Sequence, residues 1–438
     1  MISRTELNER VYEWGLREDI VEKDYVIGWL LWGIGSNPRL SMHWAFKGGT
    51  CLKKCYLETY RFSEDLDFTV LPGGPIQPDE VGPILTEIFD QIYDRVDIDF
   101  RVRPATLRIR PDGNSVEGRA YYRGPRNAPQ VASIKLDLVG AEQVIRPTVL
   151  RQISHPYPDQ LPLPATVRCY NFEELFAEKL RAMGERSRPR DLYDIINLFR
   201  RREFLSHAEL VNSVYVQKCE SKGVQVFTLD SIEASPYRTE LEAEWGNMLG
   251  HQLPVLPPFE DFWQELVRLF AWLAGKLAPE ELSPIPKAEG EEAAWAPPPT
   301  VWVWGQGIPL ESVRFAAANH LCVELGYRGT KRLIEPYSLR RTKDGYLLLY
   351  AVKVETNELR SHRVDQVQSI GVTNTPFRPR HAIEFTPAGS LTAPPTQRPS
   401  SLYTRARPFR SRVMYVIECS LCGRQFKRST YNTRLRTQ

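Results

Sequence analysis

The sequence Phe46-Lys-Gly-Gly-Thr50, followed by Arg61-Phe-Ser-Glu-Asp-Leu-Asp-Phe68, carries the strongest structural signal in this chain. Alternation of polar and apolar residues in its second part predicts a β-strand over residues 62–70. Asp65 and Asp67 are two positions apart, and side chains at that spacing lie on the same side of a strand. We therefore expect two carboxylates side by side, while the apolar residues between them enter the core.

These paired acids indicate a metal site. Two neighbouring carboxylates repel each other unless a positive charge lies between them, and Mg²⁺ prefers one or two carboxylates together with phosphate oxygens. A third acid, Asp137, lies in the alternating segment 133–139, which also predicts a strand. If the two strands pair, Asp137 joins Asp65 and Asp67 in a cluster suited to two-metal phosphoryl chemistry. The alternatives are acids on a surface loop and, for Asp137, a solvent-facing strand residue.

The residues around the acids are suited to binding phosphate. Gly48 and Gly49 lack side chains, so their backbone N–H groups can approach a phosphate closely. Thr50 and Ser63 add hydroxyl donors. An Asp-x-Asp pair alone is common by chance, whereas its combination with an upstream Gly-Gly-Thr is more specific. The sequence contains no Walker loop, Gly-x-Ser-x-Gly or His-Glu-x-x-His motif.

A lysine lies on the apolar stripe of the next predicted helix. Asn171 is a good N-cap for this helix, which runs over 172–183. Lys179 falls on the stripe formed by Phe172, Leu175 and other apolar residues. An inward-facing lysine needs an anionic partner to keep its charge, and a phosphate or a metal-site carboxylate would serve. The alternative is a lysine at the edge of the stripe that extends to solvent.

The following segment, Arg186-Ser-Arg-Pro-Arg-Asp-Leu-Tyr-Asp-Ile-Ile196, predicts a second helix that begins near Pro189. Asp191 and Asp194 are three positions apart and share a face of it. One interpretation is that Asp191 orients Lys179 or a substrate hydroxyl. The other is helix capping within a surface network of arginine and aspartate.

Length and composition limit the class of protein. A chain of 438 residues with 42% hydrophobic and 25% charged residues is long enough for two to four folded domains, which excludes a wholly disordered protein. Seven cysteines are too few for a disulfide-stapled secreted domain. The net charge of +3 means that affinity for nucleic acid must come from local patches. With no long apolar run and no apolar leader, we expect a cytoplasmic protein that does not contact membranes.

The predicted class is α+β, with a mixed sheet flanked by helices. Periodicity predicts helices over residues 1–24, 25–34 and 84–96. Further strands are predicted over 101–103, 106–110, 119–122 and 133–139. The regions assigned are a core (1–170), a helical half (171–275), a linker (276–300), a small β-rich module (301–385), a second linker (386–412) and a basic tail (413–438).

The β-rich module resembles a divergent WYL domain, which implies a small SH3-like β-barrel. Lys343-Asp-Gly345 predicts a hairpin turn, and Tyr346-Leu-Leu348 stands where the Trp-Tyr-Leu signature would lie. Four arginines are candidates for an anion-binding face: Arg340, Arg341, Arg360 and Arg363. The alternative is a solvated basic face on a scaffold.

The basic tail contains Cys419-Ser-Leu-Cys422, which is half of a zinc finger. Cys419 and Cys422 could bind Zn²⁺ incompletely, or they could be a redox or structural remnant. Aromatic residues alternate with arginines and lysines here, a pattern that suits contact with RNA or DNA. The alternative is a disordered basic tail.

Four ordered motifs resemble those of the AbiEii/AbiGii toxin nucleotidyltransferases, a family of the DNA-polymerase-β-like superfamily. They are Lys47-Gly-Gly-Thr50, Arg61-x-Ser-x-Asp-x-Asp67, Glu178-Lys-Leu180 and Arg190-Asp-Leu-Tyr-Asp194. Val21-Glu-Lys-Asp-Tyr25 is similar to the family's N-terminal helix. The resemblance covers about residues 1–275. It implies a polymerase-β-like core followed by a helical half.

The resemblance also implies an activity, the Mg²⁺-dependent transfer of a nucleoside monophosphate from an NTP. The metal ligands it implies are Asp65, Asp67 and Asp137. The residues implied to bind the nucleotide are Lys47, Gly48, Gly49, Thr50, Ser63 and Lys179, while Lys179 and Asp191 support catalysis with the paired acids. NMP transfer requires charge compensation and positioning rather than a covalent nucleophile.

The leading hypothesis is therefore a nucleotidyltransferase toxin of a toxin–antitoxin or phage-defence system, with the tRNA 3′ end or another RNA as acceptor and a cognate antitoxin as partner. NMPylation of a protein is the alternative within the enzyme class. A third hypothesis is a nucleic-acid-sensing regulator of the WYL type with an inactive core, which the intact acids and Lys179 argue against.

Overall fold

A computed structural model describes residues 1–57, 61–201, 207–233, 237–277, 282–286, 310–342, 344, 346–384, 412–418 and 425–431. The chain divides into two compact units, Met1–Ala393 and Pro394–Gln438. Among the helices in these ranges, none combines the length and apolar character needed to cross a membrane.

The helices and strands have the following bounds. The helices are α1 (Arg4–Trp14), α2 (Glu18–Ser36), α3 (Pro38–His43), α4 (Gly48–Cys51), α5 (Pro78–Val96), α6 (Phe172–Arg186), α7 (Pro189–Phe199), α8 (Ala208–Lys222), α9 (Leu229–Glu233), α10 (Tyr237–Leu249), α11 (Phe259–Leu273) and α12 (Leu310–Ala318). The strands are β1 (Trp44–Lys47), β2 (Asp65–Val70), β3 (Thr106–Ile109), β4 (Ser115–Tyr122), β5 (Ala132–Val139), β6 (Val149–Gln152), β7 (Thr166–Cys169), β8 (Leu321–Tyr327), β9 (Thr330–Arg341), β10 (Leu347–Lys353), β11 (Glu358–Arg363), β12 (Val367–Pro376), β13 (Arg412–Glu418) and β14 (Gln425–Tyr431).

The first seven strands form one mixed sheet in the order β3-β4-β5-β2-β1-β7-β6. Strand β2 lies at its centre, antiparallel to β1 and parallel to β5. The apolar residues of β2, Leu66 and Phe68, are fully buried, because alternate side chains of a strand point to one face. The predicted mixed sheet flanked by helices is confirmed.

Two long helices pack together beside this sheet. Helix α2 is apolar on nearly all sides and is buried over most of its length, which is typical of an interior helix. Helix α5 is amphipathic and buries a stripe that includes Val81, Ile84 and Ile88. The two helices contact each other, and α2 also contacts β7. These helices and the apolar face of the sheet share one hydrophobic core, which leaves the polar residues of β2 on the opposite face.

Helices α6 to α11 follow the sheet and form the predicted helical half. The side chain of Asn171 accepts a hydrogen bond from the backbone N–H of Glu174 at 2.9 Å, so α6 begins at the predicted cap. Pro189 occupies the first turn of α7, where its missing N–H costs nothing. Helix α7 packs against α6, α10 and α11. This packing brings the inward face of α6 opposite the inward face of α7.

The later strands form two further sheets. Strands β8 to β12 make a five-stranded antiparallel sheet in the order β11-β10-β9-β8-β12, and α12 packs on it. Residues 282–286 run beside this sheet, and Ile285 is buried in a small core with Tyr337 and Phe377. The second unit contains an antiparallel pair formed by β13 and β14.

The predicted elements differ from the structure in several places. The strand expected over 62–70 begins at Asp65, and the helix expected over 84–96 begins earlier, at Pro78. The strand predicted over 101–103 is wrong, because a 3₁₀ turn covers Phe100–Val102. The side chain of Asp99 accepts a hydrogen bond from the backbone N–H of Arg101 at 2.9 Å and so caps this turn.

Candidate active site

The acids lie on one face of the central sheet. In the strand register Asp67 of β2 is opposite Lys47 of β1 on one side and Asp137 of β5 on the other. Paired residues of neighbouring strands point to the same face, and Asp65 shares that face two positions along β2. The structure therefore brings Asp65, Asp67 and Asp137 into one polar row with Lys47, at the centre of a sheet whose other face is apolar.

The positive charges near Asp65 and Asp67 do not fully compensate the burial of these two acids. Burial raises the pKa of Asp67 to about 6, and the nearby carboxylates of Asp137 and Asp65 act in the same direction, against Lys47 and Lys179. Burial also raises the pKa of Asp65. Carboxylates that resist ionisation in this way are stabilised by a cation, and their oxygens are the ligands that Mg²⁺ prefers. The residues present therefore fit a magnesium ion.

Asp137 is engaged by two cations. It accepts hydrogen bonds from Arg110 Nη2 at 2.5 Å and from Lys135 Nζ at 2.8 Å. The oxygens of Asp65, Asp67 and Asp137 are not gathered within 4.8 Å of one another. Asp137 must therefore leave Arg110 or Lys135 before it can share a cation with Asp67, whereas the pair on β2 has no such constraint.

The predicted glycine turn lies against the acids. Gly48 has φ +79°, and a Cβ atom there would lie 2.2 Å from Asp67 Oδ2. A Cβ atom on Gly49 would lie 2.6 Å from Arg61 Nη2 and 3.1 Å from Ser63 Oγ. Only the absence of side chains permits this close approach of backbone to carboxylate, guanidinium and hydroxyl. The two glycines are therefore required by the polar groups of the site, not by packing of the hydrophobic core.

The two predicted hydroxyl donors differ in their surroundings. Thr50 is buried, and its Oγ1 donates to the backbone carbonyl of Asp65 at 2.5 Å. This bond fixes α4 to the start of β2, which is a positioning role. Ser63 is half-buried, and its Oγ lies against Gly49, so its hydroxyl belongs to the lining of the turn.

A buried carboxylate joins the two cations beneath the turn. Asp194 of α7 accepts hydrogen bonds from Arg61 Nε at 2.6 Å and Nη2 at 2.8 Å, and its other contact is Lys179 Nζ at 2.8 Å. Although burial opposes ionisation, Arg61 and Lys179 hold the pKa of Asp194 well below its usual range. Lys179 thus faces inward with an anionic partner, and Asp194 supplies the nearer contact.

Asp191 lies one turn earlier on α7 and is less closely bound to Lys179. Its Oδ1 is 3.9 Å from Lys179 Nζ, while both oxygens accept hydrogen bonds at 2.8 Å from Arg186. The main contact of Asp191 is therefore with Arg186, and its link to the site passes through Lys179.

Lys47 contacts two carboxylates that lie outside its own Lys47-Gly-Gly-Thr50 motif. Its Nζ donates to Glu142 and lies 3.2 Å from Glu178 Oε1. Burial opposes its charge, but Glu178 and Glu142 hold the pKa of Lys47 above its ordinary value. Burial likewise opposes ionisation of Glu178, yet Lys47 and Lys218 lower its pKa to about 2. Lys47 therefore stays charged beside Asp67, and it must exchange a carboxylate for any phosphate that it binds.

The sequence interpretation missed several of these residues. Arg61 and Asp194 stand in the quoted motifs, so a signal existed, but nothing in the local pattern indicates that they contact each other across 133 positions. Glu142 and Arg110 lie in loops without a recognisable motif. Cys419 and Cys422 lie outside the described residues, so their predicted zinc site stays a prediction.

The predicted arginine face of the second sheet is wrong in one member. Arg340 is buried and donates from Nη2 to the backbone carbonyl of Ile285 at 2.6 Å and to Glu384 at 2.9 Å. The side chain of Arg341 lies outside the described set. Arg360 and Arg363 do line an open groove of about 740 Å³. Its other cationic lining residues are Arg328, Lys331, Arg332 and Lys353.

A buried histidine lies in the wall of this groove. His362 is 2% exposed, and neither ring nitrogen has a hydrogen-bond partner among the described residues. Burial, together with Arg332 and Arg360, lowers the pKa of His362 to about 4. The ring is therefore neutral at pH 7 and offers one donor and one acceptor.

A mixed sheet presents paired aspartates to a glycine turn with buried cations beside them, an arrangement suited to metal-assisted phosphoryl transfer. The family described as "Nucleotidyl transferase AbiEii toxin, Type IV TA system" matches residues 29–265, which is more than half of the chain. The chain belongs to this AbiEii family and is a nucleotidyltransferase of a type IV toxin–antitoxin system.

The solved structures that are similar to this chain include one toxin. It is MenT4, a nucleotidyltransferase toxin from Mycobacterium tuberculosis H37Rv, with 21% sequence identity and a TM-score of 0.42. The similarity covers 63% of this chain and 90% of that chain. No curated protein matches this sequence.

The glycine turn gives the first testable prediction. Gly48→Ala places a methyl group on Asp67 Oδ2, and displacing a reacting group by about 1 Å can cost about 100-fold in rate. Gly73→Ala is the matched control, since Gly73 has φ +81° and nothing within 4 Å of a Cβ atom. Steady-state NMP transfer is expected to fall about 100-fold in the first variant and to change little in the second. Equal losses in both would mean that backbone strain, not contact with Asp67, explains the glycine.

Proposed function

We propose that this toxin transfers a nucleoside monophosphate from an NTP to a hydroxyl group at the 3′ end of a tRNA, with Mg²⁺ as cofactor. The observation that carries the proposal is the register of Asp67 between Lys47 and Asp137, with the Gly48 turn closing over its carboxylate. This arrangement places carboxylates, a lysine and the backbone N–H groups of the glycine turn close together. Charged and polar groups of this kind suit a triphosphate with its metal ion better than a neutral ligand.

The proposed reaction is an in-line displacement at the α-phosphorus. The acceptor hydroxyl oxygen forms a bond to the α-phosphorus, and the bond to the oxygen bridging the α- and β-phosphorus breaks. Pyrophosphate leaves with that electron pair, and the hydroxyl proton is released to solvent. Because no covalent enzyme intermediate is needed, the protein contributes positioning and charge compensation.

The residues divide these tasks. Asp65 and Asp67 would hold Mg²⁺, with Asp137 able to join them if it leaves Arg110 or Lys135. Magnesium supplies charge compensation for the phosphate oxygens during the transfer. Lys179 lies beside the acids and contacts Asp194 at 2.8 Å, so its ammonium group is placed to bind a phosphate oxygen.

The phosphate-facing side of the site is built from other groups. The backbone of Gly48 and Gly49 and the hydroxyl of Ser63 form the surface nearest the acids, so we assign them to the triphosphate. Lys47 would bind phosphate after exchange with Glu178 or Glu142. Thr50 and Asp191 act by positioning α4 and Lys179.

We further propose that the second sheet is a divergent WYL-like domain with an SH3-like barrel, and that its groove holds the RNA acceptor. The strand order β11-β10-β9-β8-β12 and the 3₁₀ turn Val364–Gln366 support this domain type. In the groove Arg328 donates to Gln366 at 2.8 Å and Arg332 to Thr330 at 3.2 Å. Both partners are neutral, so these two charges remain available to phosphates.

The family places this toxin in a type IV toxin–antitoxin system. We propose that it acts in the cytoplasm, where tRNA and NTPs are abundant, that a cognate antitoxin opposes it, and that the system serves in phage defence. A block of tRNA 3′ ends would stop translation, which accounts for a toxic effect.

The proposal is tested by incubating the purified protein with each α-labelled NTP and Mg²⁺, together with total tRNA or with a cell lysate. We expect label on tRNA, and none when EDTA removes the metal. Label on protein bands instead would show that the acceptor is a protein and not a tRNA. An unlabelled reaction together with salt-sensitive nucleic-acid binding would favour the regulator with an inactive core.

The groove gives the second prediction. The double variant Arg328→Glu with Arg332→Glu is expected to weaken tRNA binding at least about tenfold and to lower its salt dependence by about two ion equivalents. The charge-matched control is Arg4→Glu with Arg17→Glu, two exposed arginines on α1 and just before α2. Filter binding at several salt concentrations measures both effects. An equal loss in the control would show that net charge, not the groove, binds the RNA.

A further inference from the structure

A cluster of three cysteines lies behind the glycine turn. Cys51 ends α4, Cys55 lies in the π-helical turn Leu52–Tyr56 that follows, and Cys169 ends β7. All three side chains have no exposed surface, and their sulfur atoms lie within 4.8 Å of one another. Elements distant in sequence thus contribute to one compact group of sulfurs.

The separation of these sulfurs is close to what one metal ion requires. Three thiolates around a Zn²⁺ ion at about 2.3 Å lie about 3.8 Å from each other. A group within 4.8 Å therefore needs only a small rearrangement to bind a cation. Among the residues that the structure describes, no other three ligand atoms from His, Cys, Asp or Glu lie as close together.

The surroundings of the cluster can compensate its charge. Arg151 donates from Nε to the backbone carbonyl of Cys55 at 3.2 Å, and its guanidinium interacts electrostatically with the thiols of Cys51 and Cys55. Three thiolates carry one net negative charge with a divalent ion and two with Cu⁺, and a buried charge needs a partner of opposite sign. Arg151 supplies one positive charge, which balances the site when it holds a divalent ion.

We propose that Cys51, Cys55 and Cys169 bind one thiophilic metal ion, with Zn²⁺ and Cu⁺ as the ions that this set of thiolates accepts. Soft sulfur ligands select these metals over Mg²⁺, so the cluster does not compete for the cofactor of the acids. The bound ion ties α4 to β7. Because Cys51 follows Thr50 directly, metal occupancy fixes the helix that carries the glycine turn.

The test uses the full chain with Cys419→Ser and Cys422→Ser, which removes the tail thiols. The reduced protein is titrated with Cd²⁺ while the sulfur-to-cadmium absorption is followed, and then with Zn²⁺ and Cu⁺ in competition. We expect one equivalent of Cd²⁺ to bind and to be displaced by Cu⁺, Zn²⁺ to compete only in excess, and the melting temperature to rise with each metal.

Variants locate the site. Cys169→Ser and Cys55→Ser are expected to weaken metal binding by about 100-fold or more and to abolish the shift in melting temperature. Cys219→Ser is the matched control, since Cys219 is also buried but stands apart from the cluster. Circular dichroism checks that each variant folds.

Three results would overturn the proposal: no stoichiometric Cd²⁺ signal in the parent protein, unchanged binding in both cluster variants, or an equal loss in Cys219→Ser. The first result needs no substitution in the cluster, so a folding defect of a cluster variant cannot obscure it. The cysteines would then be small apolar residues that fill the core. Because metal binding is measured directly, this outcome is independent of whether NMP transfer occurs.

Discussion

Asp67→Asn is expected to reduce NMP transfer by about a thousandfold while making the protein without magnesium more stable. The loss follows from removing the central carboxylate of the polar row. The gain follows from the raised pKa of Asp67, about 6 against an ordinary 3.8, because the folded protein then disfavours the ionised form. Opposite effects on activity and stability are typical of a functional residue held in an unfavourable environment.

The sign of the stability change depends on pH. The folded state binds the Asp67 proton more tightly than the unfolded chain, so ionisation lowers stability as the pH rises from about 4 to about 6. At pH 7 the full cost is present, and Asp67→Asn is expected to raise the free energy of unfolding by up to about 3 kcal/mol. Below pH 4 the gain should vanish.

Urea unfolding in EDTA at several pH values measures this gain, and labelled NTP measures the transfer. Asp94→Asn, an exposed residue on α5, is the control and should change neither quantity. Retained transfer in Asp67→Asn, or a lower stability at pH 7, would contradict the assignment of Asp67 as a metal ligand whose ionised form is disfavoured by burial.

Asp194→Asn is expected to destabilise the fold strongly. Asp194 is fully buried and neutralises both Arg61 and Lys179, so its removal leaves two buried cations without their shared anion. Breaking a buried ion pair by removing one partner typically costs about 3–5 kcal/mol. The same change should impair transfer, because Lys179 and Arg61 lose their common anchor beside the glycine turn.

A surface pair provides the matched control for this prediction. Asp365 bonds Arg363 at 2.6 Å, and both side chains are more than one third exposed. Asp365→Asn should therefore cost less than about 1 kcal/mol. Urea unfolding compares the two variants, and similar small changes in both would show that Asp194 is not the anchor of the cationic pair.

The sequence allowed the local parts of this site to be predicted. Alternation of polar and apolar residues placed Asp65 and Asp67 on one face of β2, because a strand has a strict two-residue period. Asn171 indicated the start of α6 for a similarly local reason, since a cap depends on the next three residues. Lys179 followed from its position on an apolar stripe.

The contacts that assemble the site are not local, and so they could not be predicted. The bond of Arg61 to Asp194 depends on how α7 lies relative to the loop that precedes β2, which no periodicity encodes. The same holds for Cys169 beside Cys51 and for Glu142 beside Lys47. The strand expected over 101–103 failed because the side chain of Asp99 competed for the backbone.

The proposed chemistry of this site is the transfer of the α-phosphoryl group with its nucleoside attached. It is tested most directly by parallel reactions with α-labelled and γ-labelled NTP in the presence of total tRNA and Mg²⁺. We expect label on tRNA from the α-labelled NTP alone, with the γ-label recovered in pyrophosphate. Transfer of the γ-label to any acceptor, or no α-label on tRNA or on protein, would contradict it.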